Sequence, residues 1–100
     1  MMEMVAERFR ALGEPARLAI LDALRRGERT VTDIIEATQL SQANVSKHLR
    51  LLYALGFVSR RKEGLFTYYS VADKSIFDLC DLMCDRLRLE DRRRHRLIAS

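Results

Sequence analysis

Tryptophan is absent from the chain, proline occurs once, and glycine occurs four times in 100 residues. No stretch is rich in proline, glycine or serine, so nothing in the composition is typical of a flexible linker. Apolar residues make up 48% of the chain and charged residues 32%, which is typical of a folded protein and excludes a disordered one. We therefore predict a single domain spanning residues 1–100.

Long apolar runs are also missing. None approaches the roughly 18 residues that a membrane-spanning helix needs. Glu3, Glu7 and Arg8 interrupt the first turns, where a signal peptide would be apolar. The sequence thus predicts a cytoplasmic protein with no membrane partner, and its two cysteines should remain reduced there.

Sequence motifs typical of catalysis are absent as well. The chain has no glycine-rich phosphate loop, no nucleophile elbow and no metalloprotease helix. Asp78, Asp81 and Asp85 resemble paired carboxylates, but helical spacing places them on one open face, where we expect them to be solvated. We predict that the protein is not an enzyme.

The charge that is present is concentrated in one segment. Residues 41–71 contain five basic side chains and only one acidic side chain, Glu63, which accounts for the whole net charge of +4. Acidic and basic residues balance in the rest of the chain. A local excess of this kind predicts a surface for a polyanion such as nucleic acid.

Helical periodicity covers most of the chain. It predicts a helix over 2–12 ended by Gly13, a second opening at Glu14-Pro15, and a third, short one capped by Thr30 or Thr32. A fourth helix should begin after Ser41 as its N-cap and end at Gly56.

The pattern then changes to that of strands. Segments 57–62 and 65–71 are rich in β-branched and aromatic residues, so we predict a hairpin with Glu63-Gly64 as its two-residue turn. Asp73 should cap a last helix that runs past Leu87. The predicted fold is α+β and mostly helical, with four helices, a hairpin and a C-terminal helix.

The fourth predicted helix has two contrasting faces. Val45, Leu49 and Leu52 share one side at about 100° per residue. The opposite side carries a set of small and basic residues: Ala43, Ser46, Lys47 and Arg50. Small residues permit close approach to a major groove, and long basic ones reach bases and phosphates. With the short helix before it, this segment has the spacing of a helix-turn-helix.

The predicted hairpin adds a second basic element beside this helix. Its outgoing strand ends in three successive basic residues, which can contact the DNA backbone or the minor groove. Ser41 should cap the helix and hold a phosphate. The residues predicted to contact double-stranded operator DNA are Ser41, Gln42, Asn44, Ser46, Lys47, His48, Arg50, Arg61 and Lys62. For His48, packing against the helix's neighbours is the alternative to a DNA contact.

Several segments together resemble the ArsR/SmtB family of winged-helix repressors. The sequence LSQANVSKHLRLL at 40–52 is similar to the family's recognition helix, and ALGEPARLAIL at 11–21 to the opening of its second helix. The segments 54–58, 61–64 and 68–71 resemble the wing. The resemblance covers roughly residues 7–90 and implies a winged helix-turn-helix, a homodimeric bacterial repressor, and release from a palindromic operator by a sensed species.

Two sensing motifs of that family are missing here. The segment 32–38, which precedes the recognition helix, contains no cysteine, and the last helix has no histidine before His95. Both cysteines lie instead at Cys80 and Cys84, one turn apart on the last helix. Two thiolates at this spacing can grip one soft ion, whereas an intrahelical disulfide is disfavoured because Cβ atoms there are about 5–6 Å apart.

The last helix also carries an apolar stripe that predicts a dimer interface around a two-fold axis. The stripe consists of Ile76, Cys80, Met83, Cys84 and Leu87. The cysteines are therefore either packing residues or a site for a thiophilic metal or metalloid ion first, and an oxidant second.

Three alternatives to an inducible repressor remain open. The chain could be a winged-helix DNA binder that is constitutive or protein-regulated, with no inducer site. It could be a winged-helix module that binds proteins, although the polar face of the fourth helix argues against this. A thiol-redox or metal-binding module without DNA is the weakest alternative, because it gives no reason for the charge at 41–71.

Overall fold

The computed structural model describes residues 1–99. Within them the chain forms five α-helices and three β-strands, in the order α1 (Met2–Leu12), α2 (Pro15–Ala23), β1 (Arg29–Thr30), α3 (Val31–Thr38), α4 (Gln42–Ala54), β2 (Val58–Glu63), β3 (Phe66–Val71) and α5 (Ser75–Ala99). The predicted α+β, mostly helical winged helix-turn-helix is confirmed.

The core lies where α2, α3 and α4 meet. Its fully buried side chains are Ile20, Leu21, Ile34, Val45, Leu49 and Leu52. Val58 from β2 and Phe77 from α5 extend the same cluster. Burying a side chain of this size stabilises the fold by roughly 1.5–3 kcal/mol. The apolar face predicted for α4 is thus the face that fixes this helix to the rest of the protein.

Side-chain caps set where the helices begin. Glu14 precedes α2 as its N-cap, and its carboxylate accepts a hydrogen bond from the Ala16 amide. Thr30, and not Thr32, caps α3 in a capping box with Asp33. Ser41 Oγ accepts from the Asn44 amide at 3.2 Å, which confirms Ser41 as the N-cap of α4.

The strands form an antiparallel sheet in the order β1-β3-β2. β2 and β3 make the predicted hairpin, but its turn is Gly64-Leu65 and not Glu63-Gly64, because Glu63 pairs with Phe66. Gly64 has a φ of 61°, a conformation that glycine adopts without strain. β1 was not predicted; its two residues pair with Tyr69 and Tyr68 of β3.

α5 begins as predicted, since the Asp73 carboxylate accepts a hydrogen bond from the Ser75 amide at 2.9 Å. Phe77 anchors its first turns in the core. One turn further along the same face, Asp81 meets Arg25 at the end of α2. Asp78, Asp81 and Asp85 are all exposed, as predicted, although Asp81 also forms this ion pair.

No helix within residues 1–99 is long and apolar enough to span a membrane.

Candidate nucleic-acid interface

The helix-turn-helix is built by α3, a three-residue connection and α4. Gln39 closes α3 in the left-handed region with a φ of 60°. Leu40 packs against the core, and Ser41 then starts α4. The tight connection fixes the angle between the two helices, so the outer face of α4 has a defined orientation.

That outer face carries the predicted DNA-contacting residues. Ala43, Lys47 and Arg50 are exposed along its centre, opposite the buried Val45 and Leu49. Within the described residues, neither Lys47 nor Arg50 forms a side-chain hydrogen bond or ion pair. Their charges are therefore not compensated by the protein and are available to a polyanion.

The flanks of α4 hold the remaining polar candidates. Gln42 and Asn44 are exposed, and Ser46 is half-buried. Ser41 is exposed, although its hydroxyl is already an acceptor for the Asn44 amide. The structure thus brings Ser41, Gln42, Asn44, Ser46, Lys47 and Arg50 together on one end and one side of α4. Their contacts with DNA remain a prediction.

His48 lies apart from this group. It is half-buried, and its Nδ1 atom has no hydrogen-bond partner among the described residues. Burial lowers the pKa of the His48 imidazole, and the nearby Arg17 charge lowers it further. Its half-buried position fits the packing alternative better than a phosphate contact, and a DNA contact of His48 stays a prediction.

The wing presents its basic residues on two faces. Successive residues of a strand point to opposite faces of the sheet. Arg60 and Lys62 therefore share one face of β2, and Arg61 lies on the other. The Arg60 guanidinium stacks on the Tyr53 ring of α4, 4.0 Å from its centroid. This contact joins the wing to the recognition helix and places Arg60 beside the last turn of α4.

Arg61 is engaged within the protein. Its Nε donates to Glu28 Oε2 at 2.9 Å, and its Nη1 atom pairs with the Glu63 carboxylate. The guanidinium also stacks on the Tyr68 ring. Hydrogen bonds to Glu28 and Glu63 raise the pKa of Arg61. The hydrogen bond from Arg61 in turn lowers the pKa of Glu28. A phosphate would have to compete with two carboxylates for Arg61, whereas Lys62 is exposed and unpaired in the described chain.

The two cysteines differ in their surroundings. Cys80 is half-buried beside α2, and Cys84 is exposed. Burial raises the pKa of the Cys80 thiol, and the neighbouring Arg25 charge partly opposes this increase. Within residues 1–99, no group of three or more His, Cys, Asp or Glu side chains could hold a metal ion. The two thiols are the soft donors on α5 that can become thiolates.

A bidentate ion pair lies next to Cys80. Arg25 donates from Nη2 to Asp81 Oδ1 at 2.9 Å and from Nη1 to Oδ2 at 3.2 Å. The same guanidinium lies over the Phe77 ring, 4.5 Å from its centroid. α5 is therefore tied to α2 at the position where the cysteines lie.

The apolar stripe predicted for dimerisation is only partly free. Met83, Cys84 and Leu87 are exposed, but Ile76 packs against the chain's own core and Cys80 is half-buried. The prediction also missed Leu79 and Leu82, which are exposed. The open apolar face of α5 is thus rotated away from the predicted stripe, because Phe77 turns the other side towards α2.

Three further interface features were not predicted as site residues. Tyr53 supports Arg60, Glu28 holds Arg61, and Leu65 is completely exposed at the tip of the wing. The alternation along β2 could have indicated that Arg60 and Lys62 share a face. The pairing of Arg61 with Glu28 joins residues 33 positions apart and has no local sequence signal.

The family model of arsR bacterial regulatory proteins matches residues 14–60, which contain α2, α3, α4 and the start of the wing. The transcriptional repressor SmtB homolog of Synechocystis sp. is 37% identical over 89 residues, which cover 89% of this chain and 67% of that one. This chain belongs to the ArsR/SmtB family. Its relatives are transcriptional regulators and not enzymes.

Other relatives are similar over different shares of their length. The probable mercury resistance operon repressor of Streptomyces lividans is 45% identical over 71 residues, which cover 71% of this ArsR-family chain. The chain spans 57% of the length of that relative.

Solved structures agree with the fold. Rv0081 of M. tuberculosis has a TM-score of 0.80 at 32% identity, covering 91% of this chain and 94% of that one. Mb0332 of Mycobacterium bovis, described as a homodimeric winged helix-turn-helix DNA-binding domain, has a TM-score of 0.78 at 35% identity, covering 90% and 85%.

Proposed function

We propose that this ArsR-family protein is a homodimeric cytoplasmic repressor that binds a palindromic operator through α4 and the wing and is released by a soft metal or metalloid ion at Cys80 and Cys84. Residues 1–100 would form one DNA-binding and dimerisation domain. The observation that carries the DNA-binding part is the exposed face of α4, where Lys47 and Arg50 have no partner within the described chain.

Dimerisation is supported by apolar surface that the protomer leaves uncovered. Leu82, Met83 and Leu87 on α5 are 57–69% exposed, and Phe9 on α1 is 55% exposed. Apolar faces of this kind on terminal helices favour burial against a second copy. A two-fold axis through this surface would set two α4 helices against successive turns of one DNA face, as half-sites require.

The DNA contacts can be tested by replacing basic residues of α4 and comparing them with a basic residue outside the proposed interface. Lys47→Ala and Arg50→Ala should each weaken operator binding about 5- to 150-fold, because a base or phosphate contact contributes roughly 1–3 kcal/mol. Lys74→Ala, which removes an exposed lysine at the start of α5, should bind like the parent. Equal affinity of all four proteins in a fluorescence anisotropy titration would remove α4 from the interface.

The inducer part rests on the chemistry of two thiols. Thiolates at i and i+4 can bind one soft ion together. Oxidation depends on the thiolate form, which a raised pKa of Cys80 disfavours, whereas a soft metal displaces the proton on binding. The relative named as a mercury resistance repressor supports Hg²⁺ as the first ion to test. An ion held there would shift α5 against α2 at the Arg25–Asp81 pair.

The inducer is tested with Cys80→Ser combined with Cys84→Ser. Hg²⁺ should release the parent from its operator and leave the double variant bound, while both bind DNA alike without metal. If the double variant is released as readily as the parent, the cysteines are packing residues and do not form the inducer site. If neither protein is released by Hg²⁺, arsenite or an oxidant, a constitutive or protein-regulated DNA binder is the better description. If the parent protein binds no operator DNA at all, a thiol-redox or metal-binding module without a DNA function is the better description.

A further inference from the structure

The tip of the wing is apolar and fully open. Leu65, in the turn, is 100% exposed, and Phe66, which pairs with Glu63 at the last position of the hairpin, is 60% exposed. Leu65 occupies the two-residue turn, where polar residues are preferred and where no core requires a leucine. A large aliphatic side chain is thus held at the most projecting point of the sheet.

Basic residues stand directly behind this tip. Lys62 pairs with Thr67 in the ladder, so it lies about 7 Å from the turn at a rise of ~3.3 Å per residue. Arg60 follows on the same face and contacts α4 through Tyr53. The charge of this face matches a phosphate backbone, and it is continuous with the proposed DNA-binding face of α4.

Groove dimensions decide which part of the wing can enter. With α4 in a major groove, the wing beside it reaches the adjoining minor groove, which is only about 6 Å wide. Two strands about 4.8 Å apart with their side chains are wider than this groove unless the DNA is deformed to open it. A single projecting side chain fits. A leucine cannot hydrogen-bond a base edge, but it can press between two base pairs and unstack them.

We propose, building on the DNA-binding function above, that Leu65 is a wedge that enters the minor groove beside each half-site and opens one base step. Lys62 and Arg60 hold the flanking phosphates while the step opens. Pyrimidine–purine steps unstack most easily, so the protein selects TA or CA/TG at that position without a hydrogen bond to either base. The wing then bends the operator as well as adding affinity.

The test uses 2-aminopurine, a base whose fluorescence rises on unstacking, placed at each position flanking the half-site of an operator selected by the parent from random-sequence DNA. The parent should produce a several-fold rise at one step, and Leu65→Ala should abolish it and weaken binding about tenfold where that step is TA or CA. Leu65→Lys should bind at least as tightly through phosphate attraction, yet give no rise. Leu18→Ala, which trims an exposed leucine of α2 outside the proposed DNA-binding and dimer faces, is the matched control and should behave like the parent.

Each other outcome has a defined meaning. Parent protein that binds the operator without any fluorescence rise, or a rise that survives Leu65→Ala, overturns the wedge and leaves the DNA-binding function intact. Parent protein that selects no DNA overturns both. If Leu65→Ala changes only the sedimentation of the free protein, the tip contacts another copy of the chain and the wedge is again overturned. Leu65 contributes nothing to the core, so a folding defect is not expected.

Discussion

Lys47 and Arg61 show how the surroundings of a basic residue decide its role. Both lie in the segment that holds the net positive charge. Lys47 projects from α4 without a partner in the described chain, whereas Arg61 is bracketed by Glu28 and Glu63. Composition predicts an electrostatic surface, but the partners of each side chain determine which charges a phosphate meets.

His48 gives a prediction at the same scale. Its pKa is lowered in the folded state by burial, whereas an unfolded chain has a histidine pKa of about 6.5. The unfolded state therefore binds more protons below about pH 6.5, and stability should be complete above that pH and decline as the pH falls through it. Thermal unfolding of the parent should show this decline between about pH 7.5 and about pH 5, and His48→Gln should reduce it.

The carboxylates do not confuse this measurement. The pKa values of Glu28, Asp73 and Asp81 are lowered by their hydrogen bonds, so their contribution is lost only at more acidic pH, near and below the ordinary carboxylate range of about 4. An identical pH dependence in the parent and in His48→Gln would show that His48 is not responsible.

At the scale of elements, the helices were largely predictable and their mutual contacts were not. Periodicity and local caps such as Thr30 and Ser41 are encoded within a few residues, so the helix starts could be placed. The hairpin turn was displaced by one residue because Glu63-Gly64 and Gly64-Leu65 are both acceptable turns, and only the pairing with Phe66 distinguishes them. β1 is two residues long and carries no detectable alternation.

The orientation of α5 was unpredictable for a different reason. Apolar residues lie on more than one side of it, so its sequence defines several possible stripes. Phe77 in the core and the ion pair between Arg25 and Asp81, 56 residues apart, select the side that faces α2. The recognition face of α4, by contrast, was predictable because its buried side is unambiguous.

The wing provides a prediction at this scale. Glu28→Gln should free the Arg61 guanidinium for a phosphate, because the carboxylate that now competes for it is removed. Affinity for non-specific DNA should rise several-fold, and the slope of log affinity against log salt should steepen by about one counterion. Glu36→Gln, which neutralises an exposed acid on α3, is the control. Unchanged or weaker binding by Glu28→Gln would show that the pair only holds the wing in place.

At the scale of the whole molecule, the proposed function requires a second copy. One recognition helix reads only a half-site, and the proposed inducer site lies on the helix proposed to join the protomers. The segment 41–71 carries the net positive charge, whereas the exposed apolar faces of α1 and α5 are proposed to bind the second copy.

Dimerisation is tested by Met83→Asp. Met83 is 61% exposed in the protomer, so a charge there should be tolerated by the fold but not by an apolar interface. Analytical ultracentrifugation at micromolar concentration should give a dimer for the parent and monomers for the variant, with loss of operator binding. Lys74→Asp serves as the control for an added charge at the start of α5. A monomeric parent would contradict the proposed assembly.

Palindromic operator binding is tested most directly by selecting DNA from a random pool with the parent protein and footprinting the enriched sequence. We expect an inverted repeat with half-site centres about 10 bp or a multiple apart, protected on one face of the duplex. We also expect that Lys47→Ala combined with Arg50→Ala enriches no such repeat. Enrichment of a single unrepeated site, or of no DNA at all, would contradict the proposal that two copies of α4 read a palindromic operator.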